Sequence, residues 1–156
     1  MIPNVDDRLA SIIRALTEVV LPHLPPEASL AQEQVHLSIG HLQILRAQID
    51  LVPAFERGEL DDVLALAQDL GSSVTGGGAT QSALAGLASA TKAADGSDVR
   101  GQYKAITKAI EALVRTVSSD GDMAGKAALD KAILRHEAAR TQKDREWFAP
   151  FGFDTL

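Results

Sequence analysis

Apolar residues recur at intervals of three and four along most of this chain. No stretch alternates apolar and polar positions in the manner of a strand, so the pattern predicts helices throughout. The first helix starts near Asn4 or Val5, with Asn4 as N-cap and Asp6 and Asp7 in the first turn, where acids suit the helix dipole. Its stripe is Val5, Leu9, Ile12, Ile13, Leu16, Val19 and Val20, and Pro22 followed by Pro25-Pro26 ends it. A second helix runs from about residue 27 to Val52, where Pro53 interrupts. "ERGELDD" reads as a turn broken at Gly58, followed by a short helix over about 59–70 with Gly71 at its C-terminal end.

The loop "GSSVTGGGAT" separates this helix from a weak one over about 80–93, rich in alanine, serine and glycine. "ADGSD" breaks the chain again, with Asp98 as the next N-cap. Tyr103, Ile106, Ile110, Leu113 and Val117 then mark the cleanest stripe, over about 99–118; "SSDGD" is a turn, and a last helix spans about 123–147. The expected fold is all-α: one domain over 1–156, an up-and-down helical bundle of four long helices with a shorter helical pair in the middle.

The second helix is unusual on a helical wheel. Val35, Ile39, Leu42, Leu45, Ile49 and Val52 form one arc, and Leu30, Leu37, Ile44 and Leu51 form an adjoining one. Together they cover more than half the circumference, which predicts a central helix with partners on two sides. Gln34, His41 and Gln48, spaced by seven, fall within this apolar region, with Ser38 nearby. Buried polar groups need partners. Three readings follow: an internal hydrogen-bonded network or register-fixing polar seam, a dimer interface, or a small-molecule pocket. His136 sits mid-stripe on the last helix and joins the same candidate set.

Glu33-x-x-His36 has the spacing of one half of a carboxylate-bridged di-metal site. His36 lies on the polar remainder of the wheel and Glu33 at its edge, and Glu18, Glu111 and Glu137 lie off their helices' stripes, so no metal site is expected. His23 and His41 would stand about 20 Å apart along a hairpin at 1.5 Å per residue, too far to share an ion. A His41–His136 pair without a carboxylate is a poor site. "TGGGATQ" resembles an anion-binding glycine loop, but it lacks the lysine and the preceding strand of a P-loop and reads as a linker. "DGDMAGK" has too few oxygen ligands for a calcium loop, and no serine nucleophile motif is present.

Composition narrows the function classes further. There are no cysteines, which removes disulfides, thiolate metal sites and thiol catalysis and leans toward the cytoplasm. No apolar run approaches the roughly 18 residues a membrane span requires, and the acidic start "MIPNVDDRLA" does not resemble a signal peptide. A net charge of −6 disfavours a nucleic-acid surface. Residues 1–78 carry 11 acids and 4 bases (net −7), and residues 79–156 carry 10 acids and 11 bases (net +1). The two halves thus suit attraction within one bundle or between subunits. "RHEAARTQKDRE" in the last helix reads as a solvated face. The tail concentrates Trp147, Phe148, Phe151 and Phe153, a candidate interface that either folds back or docks on a second subunit.

The functional expectation is a non-enzymatic helical bundle without cofactors, self-associating as a dimer or binding a partner in an accessory or scaffolding role. The alternative is a small-molecule-binding or enzymatic bundle with a pocket around His41, and a ferritin-like metalloprotein comes third. The wheel makes a thermodynamic prediction. His36→Ala is expected to change stability by less than about 0.5 kcal/mol. His41→Leu is tolerated or stabilising unless Gln34 or Gln48 loses a buried partner, at a cost of about 1–3 kcal/mol. Urea denaturation of the two variants checks the assignment, and a costlier His36 would overturn it.

Overall fold

The computed structural model describes residues 4–92 and 98–151, with the side chain of Phe151 outside that description. Every regular element among the described residues is helical, so the chain is all-α. It divides into two compact units, Met1–Val52 and Pro53–Leu156, where the sequence reads as one domain.

The first unit is a helical hairpin. Helix α1 (Val5–Ala15) starts where Asn4 Oδ1 accepts the Asp7 backbone N–H at 2.7 Å, the cap expected from the sequence. It widens into a π-turn over Leu16–Val20 and tightens into a 3-10 turn over Leu21–His23. Pro22 has no N–H and cannot continue the ladder. His23 Nδ1 lies 2.6 Å from the Val19 carbonyl oxygen. Helix α2 (Ser29–Gln48) then packs back along α1. Arg46 Nη2 donates to Asp6 Oδ2 at 2.9 Å and so joins the start of α1 to the end of α2, which makes the pair antiparallel. Hydrogen bonding from Arg46 holds the Asp6 carboxyl below its usual range. Both groups are exposed, so this is a weak clasp.

The second unit comprises α3 (Val52–Ser73), α4 (Gly78–Lys92), α5 (Val99–Asp120) and α6 (Met123–Phe148), with a 3-10 turn over Ala149–Phe151. One core joins them: Leu60, Val63 and Leu70 from α3, Leu87 from α4, Ile106, Leu113 and Val117 from α5, and Leu129 and Ala132 from α6. The stripe read for α5 is buried at Ile106, Ile110, Leu113 and Val117. Its N-cap is Asp98, whose Oδ1 accepts the Gly101 N–H at 2.8 Å.

Both expected ends of the third helix differ from the structure. "ERGELDD" is helical, and α3 is a 22-residue helix rather than a short one. Pro53 does not interrupt it, because it occupies the first turn, where a missing N–H costs nothing. The Lys143 ammonium crosses above Gly58, and a Cβ there would stand 3.0 Å from Lys143 Nζ, so the glycine serves a close approach. Gly71 likewise lies inside α3 rather than beyond its end.

The two loops at one end of this unit are tied together. Gly76 pairs with Gly121 in an isolated antiparallel bridge, and the Gly77 N–H donates to the Asp120 carbonyl at 2.9 Å. The Asp120 carboxylate accepts the Thr80 N–H at 2.9 Å and so caps the start of α4 from 40 residues away. This settles the reading of "TGGGATQ" physically: the anion at that helix end is the chain's own Asp120. A Cβ on Gly77 would overlap the same carboxylate, and one on Gly125 would overlap the Thr75 backbone. Asp122 caps α6 by accepting the Gly125 N–H at 2.6 Å, and it also accepts the Thr75 hydroxyl at 2.8 Å. The acids of "DGDMAGK" and its neighbour are therefore helix caps rather than ion ligands.

Two outcomes follow. Gly125→Ala should destabilise the second unit by about 1–3 kcal/mol, since the new methyl group meets backbone. Urea denaturation followed by Trp147 fluorescence checks it, and an unchanged midpoint would contradict the packing. Hydrogen bonds from Gly125 and Thr75 also hold the Asp122 carboxyl below its ordinary value. A carboxylate with a depressed folded-state pKa stabilises the fold above its unfolded value of about 3.9, and that contribution is lost as pH falls through the lower folded value. Asp122→Asn should therefore flatten the acid limb of the stability profile below about pH 4. An acid limb identical to the parent's would contradict the assignment.

Candidate interaction face

The two apolar arcs of α2 have different fates. Val35, Ile39, Leu42 and Ile49 are half-buried, while Leu30, Leu37, Leu45 and Leu51 are exposed. No residue of α2 is buried. Among the described residues of the first unit the single buried side chain is Leu9. Within this unit α2 has one partner helix, where the sequence reading expected partners on two sides.

The uncovered arc has a regular period. Leu30, Leu37, Ile44 and Leu51 are spaced by seven, and Ile44 alone of the four is half-buried. Helix α1 carries a matching row, Val5, Ile12 and Val19, also spaced by seven and exposed. Exposure runs from 48% at Ile12 to 69% at Leu30 across the six exposed members of these rows, which decides that they are surface rather than core. Helix rotation places the rows. From the buried Leu9, the α1 row lies toward lower wheel angles, and so does the α2 row from its packed arc. At about 100° per residue the α1 row stands about 60° from Leu9, whereas the α2 row stands about 165° from the centre of its packed arc, so the α2 row lies on the back of α2, away from α1.

The polar candidates lie in this row. Gln34, His41 and Gln48 each follow a leucine or isoleucine by four residues, so α2 repeats an apolar and a polar position through three heptads. In coiled-coil terms the apolar series occupies d and the polar series a. Gln34 and His41 are exposed and Gln48 is half-buried. Ser38 beside them donates to the Gln34 carbonyl at 2.8 Å. His36 and Glu33 are exposed, on the faces the wheel assigned to them. Of the 20 residues of α2, only Glu33 and Arg46 are charged.

His136 belongs to the second unit, half-buried on α6. Trp147 closes against its own unit: its ring centroid lies 4.3 Å from that of Phe55, with the planes at 35°. Lys143 Nζ sits 5.7 Å from the Phe55 centroid, 2.6 Å from Asp62 Oδ2 and 3.6 Å from Glu59 Oε1. Desolvation lowers the Lys143 pKa, but the hydrogen bond and attraction of Asp62, with those of Glu59, outweigh it and leave the pKa raised. Arg135 pairs with Asp69, Arg140 with Glu59, and Arg100 with Glu56. The charged stretch of α6 is mostly exposed, as the sequence suggests, and Arg135, Arg140 and Lys143 in it also pair with acids of α3. It accounts for part of the charge asymmetry along the chain. Phe148 is exposed, and the side chain of Phe151 and all of Phe153 lie outside the described residues.

A groove of ≈ 560 Å³ runs between α3 and α4, lined by Leu64, Ala67, Gln68, Leu84, Leu87 and Thr91 among others. None of Gln34, His41, Gln48 and His136 lines it. Among the described residues no group of three or more His, Asp or Glu side chains is placed to hold a metal ion. No helix among them is long and apolar enough to cross a membrane. The chain matches no protein-family model, no curated protein and no solved structure.

Proposed function

We propose that this chain is a non-enzymatic assembly module. In this reading a self-contained four-helix unit, up-and-down in topology, carries in sequence a hairpin whose task is docking. The setting is cytoplasmic, consistent with a chain free of cysteine.

The observation that supports the reading is the pair of uncovered rows on the hairpin. Soluble monomers rarely expose contiguous apolar patches above a few hundred Å². The α2 row is a stripe about 30 Å long and about 10 Å wide, about 300 Å², the size at which an apolar patch on a monomer is often functional. The enzymatic alternative requires convergent polar groups in a cavity around His41. The polar groups here are strung along a helix at intervals of about 10 Å, which suits a seam better than a pocket.

The test is the mass of the full-length chain. Light scattering should give a multiple of the 16.5 kDa protomer. The double variant Leu30→Glu/Leu37→Glu should reduce it to the protomer, because two carboxylates in the row would be desolvated on association. Its second unit should keep its urea midpoint by Trp147 fluorescence. A parent chain that is monomeric throughout the micromolar range would overturn the self-associating form of the proposal.

A further inference from the structure

We propose that the groove between α3 and α4 binds a small amine, with an ammonium group held at Asp61 and an apolar body laid along Leu64, Leu84 and Leu87. The site is independent of the docking role of the hairpin.

The sequence leaves this space open. Helix α4 is built largely from alanine, serine and glycine, and its short side chains let it pack closely along α5. Toward α3 the larger groups are Leu64, Leu84 and Leu87, above the buried Ala67. The rim outside them is short, with Ala65 and Gly71 on α3 and Ala88 on α4. A Cβ on Gly71 would meet nothing within 4 Å. Longer side chains at these positions would fold over the leucines. Without them a groove of ≈ 560 Å³ remains, within the size range of small-molecule sites. From Asp61 to Gly71 it runs about 15 Å along α3, enough for an extended alkyl chain.

The chemistry at one end is one-sided. A turn over 74–77 joins α3 to α4 and makes them antiparallel neighbours. Asp61 and Thr91 each lie about a dozen residues from that turn, so they stand level, about 18 Å from it along the axis. Both line the groove. Helix α3 carries five acids, and four of them are paired: Glu56 with Arg100, Glu59 and Asp62 with Lys143, and Asp69 with Arg135. Asp61 alone makes no ion pair among the described residues. Thr91 commits its hydroxyl proton to the Ala88 carbonyl at 3.0 Å, so toward a ligand it can only accept. A carboxylate can only accept as well. This end of the groove therefore offers acceptors without donors, the complement of an ammonium group, which has donors and no acceptor. Lys92, the next residue, does not line the groove, and Gln68, which does, can serve as donor or acceptor. A carboxylate ligand would meet Asp61 with like charge.

Amide chemical shifts of the labelled full-length chain, titrated at neutral pH with decylamine, decanol and decanoate, test this. The three probes share one alkyl chain and differ in charge. Decylamine should give saturable shifts at Ala65, Gln68, Leu84 and Ala88. Decanol should bind there about tenfold more weakly, and decanoate should not saturate. Asp61→Asn should lower the affinity for decylamine to that for decanol and leave decanol binding unchanged, which a purely structural role of Asp61 would not do. Ala88→Phe should block both while the second unit keeps its urea midpoint. Equal affinity for decylamine and decanoate, or an Asp61→Asn variant that still prefers decylamine, would overturn the role given to the charge. Shifts that saturate on α1 and α2 instead of the groove, or nowhere, would overturn the site.

Discussion

Two helices share a single interface, and α2 has two apolar faces. A hairpin can satisfy one of them. Here Val35, Ile39, Leu42 and Ile49 are half-buried, while Leu30, Leu37 and Leu51 of the second face are exposed. Fully burying one such side chain is worth about 1.5–3 kcal/mol, so the uncovered row is where most of the unit's unspent stabilisation lies. A unit of this size with one buried side chain falls in the range where small domains recruit a partner, a metal or cross-links. The chain has no cysteine and, among the described residues, no metal-holding cluster. Association is the route that the proposed function assigns to it.

The second unit solves the same problem internally. Its core draws on four helices, and its loops are closed by the chain's own carboxylates. Asp120 and Asp122 each satisfy a helix N-terminus, and Asp122 also reaches back to Thr75 in the loop before α4. The glycines at 77 and 125 follow from that closeness, because a side chain at either would displace the opposing loop. Along the outside, α3 faces α6 as acid against base, with Lys143 set between Asp62, Glu59 and the Phe55 ring. Exposed ion pairs add little to stability, about 0–1 kcal/mol each, but their alternation opposes a slipped register of α6 on α3.

The sequence carried the all-α class, the caps at Asn4 and Asp98 and the core stripe of α5, because these depend on local chemistry and a 3.6-residue period. It misplaced the start of α3. Pro53 and Gly58 look like breakers when read locally, but Pro53 is tolerated in the first turn, and the cost of about 1 kcal/mol for a glycine inside the helix is outweighed by the buried face of α3. The wheel found the polar row of Gln34, His41 and Gln48 and the faces of Glu33 and His36. It did not show that the row is uncovered, since periodicity marks an apolar face without saying what packs on it. One signal could have pointed there: the two charges in 20 residues of α2. The trans cap by Asp120 had no local signature, because donor and acceptor are 40 residues apart.

The central proposal is that the exposed row of α2 is covered by self-association, and amide hydrogen exchange at varied protein concentration tests it most directly. Protection that depends on association rises with concentration by mass action, whereas protection from an internal core does not. The account predicts that amides of residues 29–48 gain protection as the chain is concentrated, while those of α3, α5 and α6 stay constant. Equal protection of α2 at every concentration, dilute solution included, would contradict it.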